Sequence, residues 1–392
     1  MATRPTRSWL AVGFAMFAVG WGANQFSPML LVYRAQLGLS AGHLALLFAL
    51  YAVGLIPGLL VGGPASDRYG RRALVLPFVV LSPLATVVLV LANHSPLGLG
   101  ASRLLAGACS GVVFAAAGAW LQELSTDAPP GAAARRAAVS LSLGFGTGPL
   151  VAALIAEWVP DPLRLPYLPH IGLGILAFLI VLRVPETVSP AGASGPLLRL
   201  PSTALLPRFR RAVMPVAPWV FGTASLAFVV LPGQVSSAKS ASVAFAGVAT
   251  ALTLGTGVLC QPLARRIEER RRLGAAAVGL ASAALALAIG LAAEDAASKP
   301  LVLVAAVPFG LAYGMCLVSG LRETERLAPA SERGASIAVF LALTYLGFGA
   351  PYLLDLVDGA VGVTVTFGIG IALALATMAW TWAQPRGNAQ RQ

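Results

Sequence analysis

The sequence predicts an all-α polytopic membrane protein of about twelve transmembrane helices, arranged as two pseudo-symmetric six-helix bundles. Three observations lead there. Of 392 residues, 57% are hydrophobic and only 11% charged, against roughly 25% charged in soluble domains. Apolar runs of about 18 residues or more recur along the whole length, each able to cross a ~30 Å hydrocarbon core. The basic residues fall at the ends of those runs, so a net charge of +12 reads as membrane topology and implies no nucleic-acid partner.

Taken in order, the apolar runs lie at about 9–33, 43–63, 73–92, 97–122, 137–158 and 167–184, then 212–232, 240–263, 273–293, 300–321, 336–355 and 360–383. Residues 1–184 and 212–392 therefore form two groups of six. Residues 185–211, with five Pro, two Gly and a basic end at Arg208, Arg210 and Arg211, read as a cytoplasmic linker. The first run follows Arg4 and Arg7 but is too long for a secretion signal, and further spans follow it. With the N-terminus inside, 22 of the 27 Lys and Arg residues fall on the inner side. That places both termini in the cytoplasm of a multi-pass plasma-membrane protein. Cys109, Cys260 and Cys316 lie inside apolar runs without metal-like spacing, so they are packing residues and no metal site is expected.

The halves repeat. Leu121, Glu123, Ala128 and Pro129 recur 200 residues later as Leu321, Glu323, Ala328 and Pro329. Gly144-Phe145-Gly146-Thr147-Gly148-Pro149 is echoed by Gly347-Phe348-Gly349-Ala350-Pro351, and Pro64-x-Ser66-x-Arg68 by Pro262-x-Ala264-x-Arg266. Such parallel repeats are a feature of many secondary transporters.

The densest polar interruption is Gly63-Pro64-Ala65-Ser66-Asp67-Arg68-Tyr69-Gly70-Arg71-Arg72. Its two Gly and Pro predict a tight turn after Gly62. A carboxylate at a helix end, such as Asp67, can sit against another helix's N-terminus, where the macrodipole favours negative charge. Arg68, Arg71 and Arg72 can equally serve only to fix topology. Arg103 is the one basic residue well inside a span, where a charge costs at least ~2.5 kcal/mol and should face a cavity or a partner. Snorkelling to the outer headgroups is the other reading of it. Asn24 and Gln25, followed by Ser27 and Pro28, break the first span and should point inward, as cavity lining or as packing glue. Tyr51, Trp120, Trp219, Thr253, Tyr313 and Tyr345 are further inward candidates. Gly144, Gly148 and Pro149 let span five approach a neighbour closely and bend. His43, His94 and His170 fall near outer span ends and read as interface residues.

Gly63-x-x-x-Asp67-Arg68-x-Gly70-Arg71-Arg72 resembles the loop motif between spans two and three of the major facilitator superfamily at every defining position. Arg103-x-x-x-Gly107 resembles that family's fourth-span motif. Gly144 to Pro149 resembles the fifth-span motif of its twelve-span drug:proton antiporters, and Pro185-Glu186-Thr187 a frequent ending of the sixth span. The resemblance implies a secondary transporter that moves a small organic compound by alternating access, most of all an exporter exchanging it for protons. It also implies a monomer in a lipid bilayer and no cofactor. Uptake or facilitated movement of a polar metabolite is the alternative, and a membrane sensor on a transporter scaffold is the reading from another class. The resemblance further sets Asp67 against the start of span eleven, near Ser336, and Arg71 against Glu123, as a latch on one conformational state. It leaves a gap as well, because antiporters of that group often carry a carboxylate inside span one and this chain has none there. No nucleotide-binding loop and no clustered His or carboxylate set is present, so neither ATP-driven pumping nor an enzyme is expected.

Overall fold

The computed structural model describes residues 8–129, 132–188, 197–198, 200–235, 242–329 and 331–384. Arg4, Arg7, Arg199, Lys239, Arg386, Arg391 and the stretch 189–196 of the expected linker lie outside the described residues. The helices are α1 (Ser8–Asn24), α2 (Phe26–Leu37), α3 (Ala41–Tyr69), α4 (Arg71–Leu91), α5 (Pro96–Glu123), α6 (Ala132–Trp158) and α7 (Leu165–Val181). They continue with α8 (Phe209–Gln234), α9 (Val243–Arg270), α10 (Gly274–Asp295), α11 (Lys299–Leu327), α12 (Arg333–Val361) and α13 (Val363–Ala383). No strand occurs among the described residues. Ten of these helices are long and apolar enough to cross a membrane, α7 is a shorter apolar helix, and α1 with α2 forms a twelfth run broken at Gln25.

The break has a local cause. Pro28 has no N–H to give the carbonyl of Asn24, four residues earlier, and Ser27 Oγ donates to that carbonyl instead at 2.9 Å. Gly62, Gly63 and Pro64 do not turn the chain, contrary to the sequence expectation. They lie inside α3, which continues to Tyr69, and the turn is the single residue Gly70. Ser66 Oγ donates to the carbonyl of Gly63 at 2.8 Å, within the same last turns of α3.

The chain divides into two compact units, residues 1–199 with 238–251, and 200–237 with 252–392. In each, helices meet at glycines, as expected where lipid removes the hydrophobic drive for association and close van der Waals packing replaces it. In the first unit, Gly54, Gly58 and Gly62 of α3 lie against Leu104 to Val112 of α5, and Gly107 and Gly111 return the contact onto Tyr51 and Leu55. A Cβ on Gly58 would sit 2.7 Å from the carbonyl oxygen of Ala108. Gly144 and Gly148 of α6 meet α1 at Phe17 to Trp21 in the same way, whereas nothing crowds Gly146. Pro149 lies within α6. The second unit repeats the device: Gly310 and Gly314 of α11 press on Thr253 and Gly257 of α9, and Gly347 of α12 on Pro218 and Gly222 of α8.

Helix starts repeat too. Ser95 caps α5 by accepting from the Gly98 amide, with Pro96 in the first turn, and Ser298 caps α11 by accepting from Leu301, with Pro300 in the first turn. Leu46, Val53, Leu84 and Leu176 in one unit, and Leu285 and Leu373 in the other, point outward as large exposed apolar side chains. That surface suits hydrocarbon rather than water.

Candidate functional site

The α3–α4 joint is built around one buried guanidinium. Gly70 holds φ +102, a left-handed backbone that favours glycine, and a Cβ there would lie 2.6 Å from Glu186 Oε2. The turn brings Arg71 back over the end of α3. Its Nη1 reaches Ser66 Oγ and Asp67 Oδ1, each at 2.5 Å, while Nε and Nη2 donate to Glu123 Oε1 on α5 at 3.1 and 2.9 Å. Thr187 Oγ1 donates to the other oxygen of Glu123. Arg71 is buried, Glu123 is 33% exposed, and Asp67 faces solvent at 56%. Arg72 donates to the carbonyl of Leu182 at 2.7 Å, and Arg68 lies over its neighbour Tyr69. Gly63 has open space around a Cβ, so packing gives no reason for glycine there.

Pro185-Glu186-Thr187 completes this joint. The Glu186 carboxylate accepts from the backbone amides of Arg71, Arg72 and Thr187, each at 2.9 Å, and of Val188 at 3.2 Å. It thereby supplies, from a distant segment, the cap that α4 lacks in its own sequence. Burial works to raise its pKa, but the four amide donors outweigh burial and hold it below the ordinary value of 4.5. A carboxylate depressed on folding stabilises above its unfolded pKa, and that contribution fades as pH falls through the folded one. Thermal midpoints of the wild type should therefore drop on acidification below about pH 4.5, and those of Glu186→Gln should change less in that window. Glu186 is exposed, so the difference stays below about 1 kcal/mol. Trp120 belongs to the same support. It is fully buried in an apolar cluster with Met16, Val79 and Val181, and its Nε1 donates to the carbonyl of Pro185 at 3.2 Å.

The second unit carries a parallel joint. Arg272 gives Nε and Nη2 to Glu323 on α11 at 2.7 and 3.0 Å, and Arg208 adds its Nε at 2.7 Å. Arg326 stands 3.7 Å away, and Glu323 is 0% exposed. The amides of Leu273 and Ala275, at the start of α10, donate to Glu268 at 2.8 and 3.4 Å, so this helix takes its cap from its own hairpin. Ser319 and Arg326 also bind Glu268. Ser336 is buried in this unit and donates to the carbonyl of Glu332. Glu332 in turn accepts from the backbone and side chain of Ser202, so residues near 202 dock on this unit.

A buried polar cluster lies near the far end of the first unit's helices. Arg103 is 1% exposed. Its guanidinium packs between the rings of Phe26 and Tyr51, 4.6 Å from each centroid, and Nη1 donates to the carbonyl of Ala23 at 3.2 Å. It is packed among α1, α2 and α3 and does not snorkel outward. The fourth-span spacing has a physical reading here. Gly107, one turn after Arg103, lets α5 touch the backbone of Tyr51, which sets that residue's ring against the guanidinium. Tyr33 and Tyr167 pair through their hydroxyls at 2.7 Å, and the Tyr33 ring packs on Phe26 with centroids 5.4 Å apart. Gln25 Nε2 donates to Thr86 Oγ1 at 3.3 Å, and Thr86 meets His170 Nδ1 at 2.7 Å. Asn24 Nδ2 reaches only the carbonyl of Phe145, at 3.4 Å. His170 is therefore no interface residue: it is buried within this network, while His43 and His94 are exposed.

In the second unit, Tyr313 and Tyr345 gather around Phe221, with centroids 5.5 and 4.4 Å away, and Phe348 closes the group at 5.1 Å. Trp219 is only partly buried and packs on a separate cluster with Ala283, Ala312 and Ala374. Thr253 is buried in α9. Sequence reasoning missed Tyr33, Thr86, Tyr167, Phe221 and the roles of Glu186, Glu268 and Arg272. Repetition was the usable signal for one of them, because Glu323 stands 200 residues after Glu123 and its Arg partner is found one residue beyond that offset. The three Cys are free and buried, and no group of His, Cys, Asp and Glu able to hold a metal occurs among the described residues.

This helical fold is that of known transporters. It superposes on the nucleoside transporter NupG with a TM-score of 0.74 at 13% identity, covering 97% of this chain and 100% of that one. The D-xylose-proton symporter gives 0.72 at 16% identity over 96% of both chains, and the peptide transporter POT 0.74 at 13%, covering 95% and 93%. The profile of the Major Facilitator Superfamily matches residues 10–351, and the chain belongs to that family. In sequence it is 30% identical over 185 residues to the multidrug resistance protein MdtL of Shigella flexneri and of Escherichia coli strain HS. The match covers 45% of this chain and 44% of each relative, so it spans less than half of their length.

Proposed function

We propose that this protein is a secondary transporter of the plasma membrane that exports a small, largely apolar organic compound by alternating access, in exchange for protons. It works without a catalytic residue, as a monomer with both termini in the cytoplasm. The observation that carries the export reading is the 30% identity to a multidrug resistance protein. The buried Arg103, Gln25 and Tyr51 in the first unit, and the Tyr313 and Tyr345 aromatic group in the second, support binding of a mostly apolar cargo with few polar anchors. Proton coupling would run through Asp67 at the end of α3 or through Asp355 in the second half of α12, because no carboxylate lies in span one.

Flux in inside-out vesicles under an imposed pH gradient, across a panel of compounds, tests the reading. Accumulation in the vesicle lumen that collapses with the gradient is expected. Movement indifferent to the gradient overturns the antiport, and movement out of the lumen overturns export. The joint at Arg71 supplies a second check. We infer that Asp67, solvent-facing while paired with Arg71, changes partner as the protein changes state. Asp67→Asn should slow transport several-fold at unchanged membrane insertion, measured as initial flux per inserted protein. An unchanged rate removes the latch.

A further inference from the structure

Two nitrogens of the buried Arg103 guanidinium have no hydrogen-bond partner among the described residues. The faces of its guanidinium are covered by Phe26 and Tyr51, and Nη1 is spent on the Ala23 carbonyl. Nε and Nη2 are both buried, with no hydrogen-bond partner among the described residues. These two nitrogens form one edge of the planar group, and their parallel N–H bonds match the two oxygens of a carboxylate. A cation held away from water in this way needs a counter-charge, yet no ion pair among the described residues includes Arg103. The carboxylates of residues 1–199 are Asp67, Glu123, Asp127, Glu157, Asp161 and Glu186, all at helix ends or in connections.

The geometry points to the cargo as the missing partner: we infer that the first unit binds a small organic monocarboxylate side-on at Nε and Nη2 of Arg103. One guanidinium compensates one negative charge, so a dianion would leave a charge unpaired in an apolar surround. The surrounding rings suit an apolar or aromatic body. The inference rests on the transport reading and deepens it. Exchange of an outgoing monoanion for incoming protons moves net negative charge out of an inside-negative cell, so the membrane potential adds to the pH gradient as a driving force.

The test measures binding to the purified full chain through its thermal midpoint, at constant ionic strength and chloride. The probes are benzoate and hexanoate beside their uncharged counterparts benzamide and hexanamide. The acids should bind at least about ten-fold more tightly than the amides, a difference of about 1.4 kcal/mol. Arg103→Gln should abolish that preference. Arg103→Lys, which keeps the charge without the fork, should weaken it and serves where the Gln variant does not fold. Equal response to acids and amides, response to none of the four, or full acid preference in either variant overturns the inference. Flux of the same probes in proteoliposomes separates the two readings. Transport without acid preference leaves the transporter and removes the anion site. Acid-selective binding with no flux of any compound leaves the site and removes the transporter.

Discussion

Replacing Glu323 by Gln should lower the stability of the purified protein far more than the same change at Glu123. Glu323 is 0% exposed and takes three charge-assisted hydrogen bonds from Arg208 and Arg272, with Arg326 nearby. Neutralising it leaves those cations facing one another without an anion between them. Breaking a buried pair costs about 3–5 kcal/mol, and the partly exposed Arg208 and Arg272 put this case near the lower end. Glu123 is one-third exposed, and Arg71 keeps Asp67 if Glu123 is neutralised, so about 1 kcal/mol is expected there. Thermal midpoints of the two variants in one detergent decide it. Equal losses would mean that the second joint is no more rigid than the first.

Gly107→Val should be the most damaging single change among the glycines of the first unit. The atoms a Cβ would strike belong to the backbone of Tyr51 and Leu55, which cannot rotate aside. Helices α3 and α5 would have to separate along a seam that also includes Gly58, Gly62 and Gly111. Overpacking of this kind costs about 3 kcal/mol. It would also draw Arg103 away from the Tyr51 ring. Gly63→Ala is the matched control, because nothing lies within 4 Å of its Cβ position and the residue is inside α3. Alanine there is neutral or slightly stabilising. The yield of monodisperse protein and its thermal midpoint should fall for Gly107→Val alone.

Much of this architecture was legible in the residues. Hydropathy and the placement of Arg predicted the number of spans, because lipid imposes both their length and their flanking charges. The density of Gly63 to Arg72 pointed to the α3–α4 joint, although its glycines and proline suggested the wrong turn. A proline inside a helix reads as a break in sequence, and only the three-dimensional structure shows that α3 continues past Pro64 to Tyr69. The partners of the joint were hidden for a different reason. Glu186 reaches α4 across 115 residues, and no local pattern reports so distant a cap. His170 was misread because depth along a span says nothing about which way a side chain faces. Tyr313 and Tyr345 were picked out as inward candidates, but Phe221 between them was missed, since lipid-facing and inward-facing Phe look alike in composition.

The two copies of the joint have come to differ in how they answer to the medium. The pair Arg71–Glu123, with solvent-facing Asp67 attached, lies within reach of dissolved ions, whereas Glu323 is shielded from them. At 1 M salt the screening length shrinks to about 3 Å, which weakens exposed pairs and leaves buried ones nearly untouched. Added salt should therefore weaken the solvent-facing Asp67 contact first, and Glu323 less, although its partners Arg208 and Arg272 are partly exposed. The same Arg–Glu pairing is thus open to the medium at its acid in one unit and at its bases in the other.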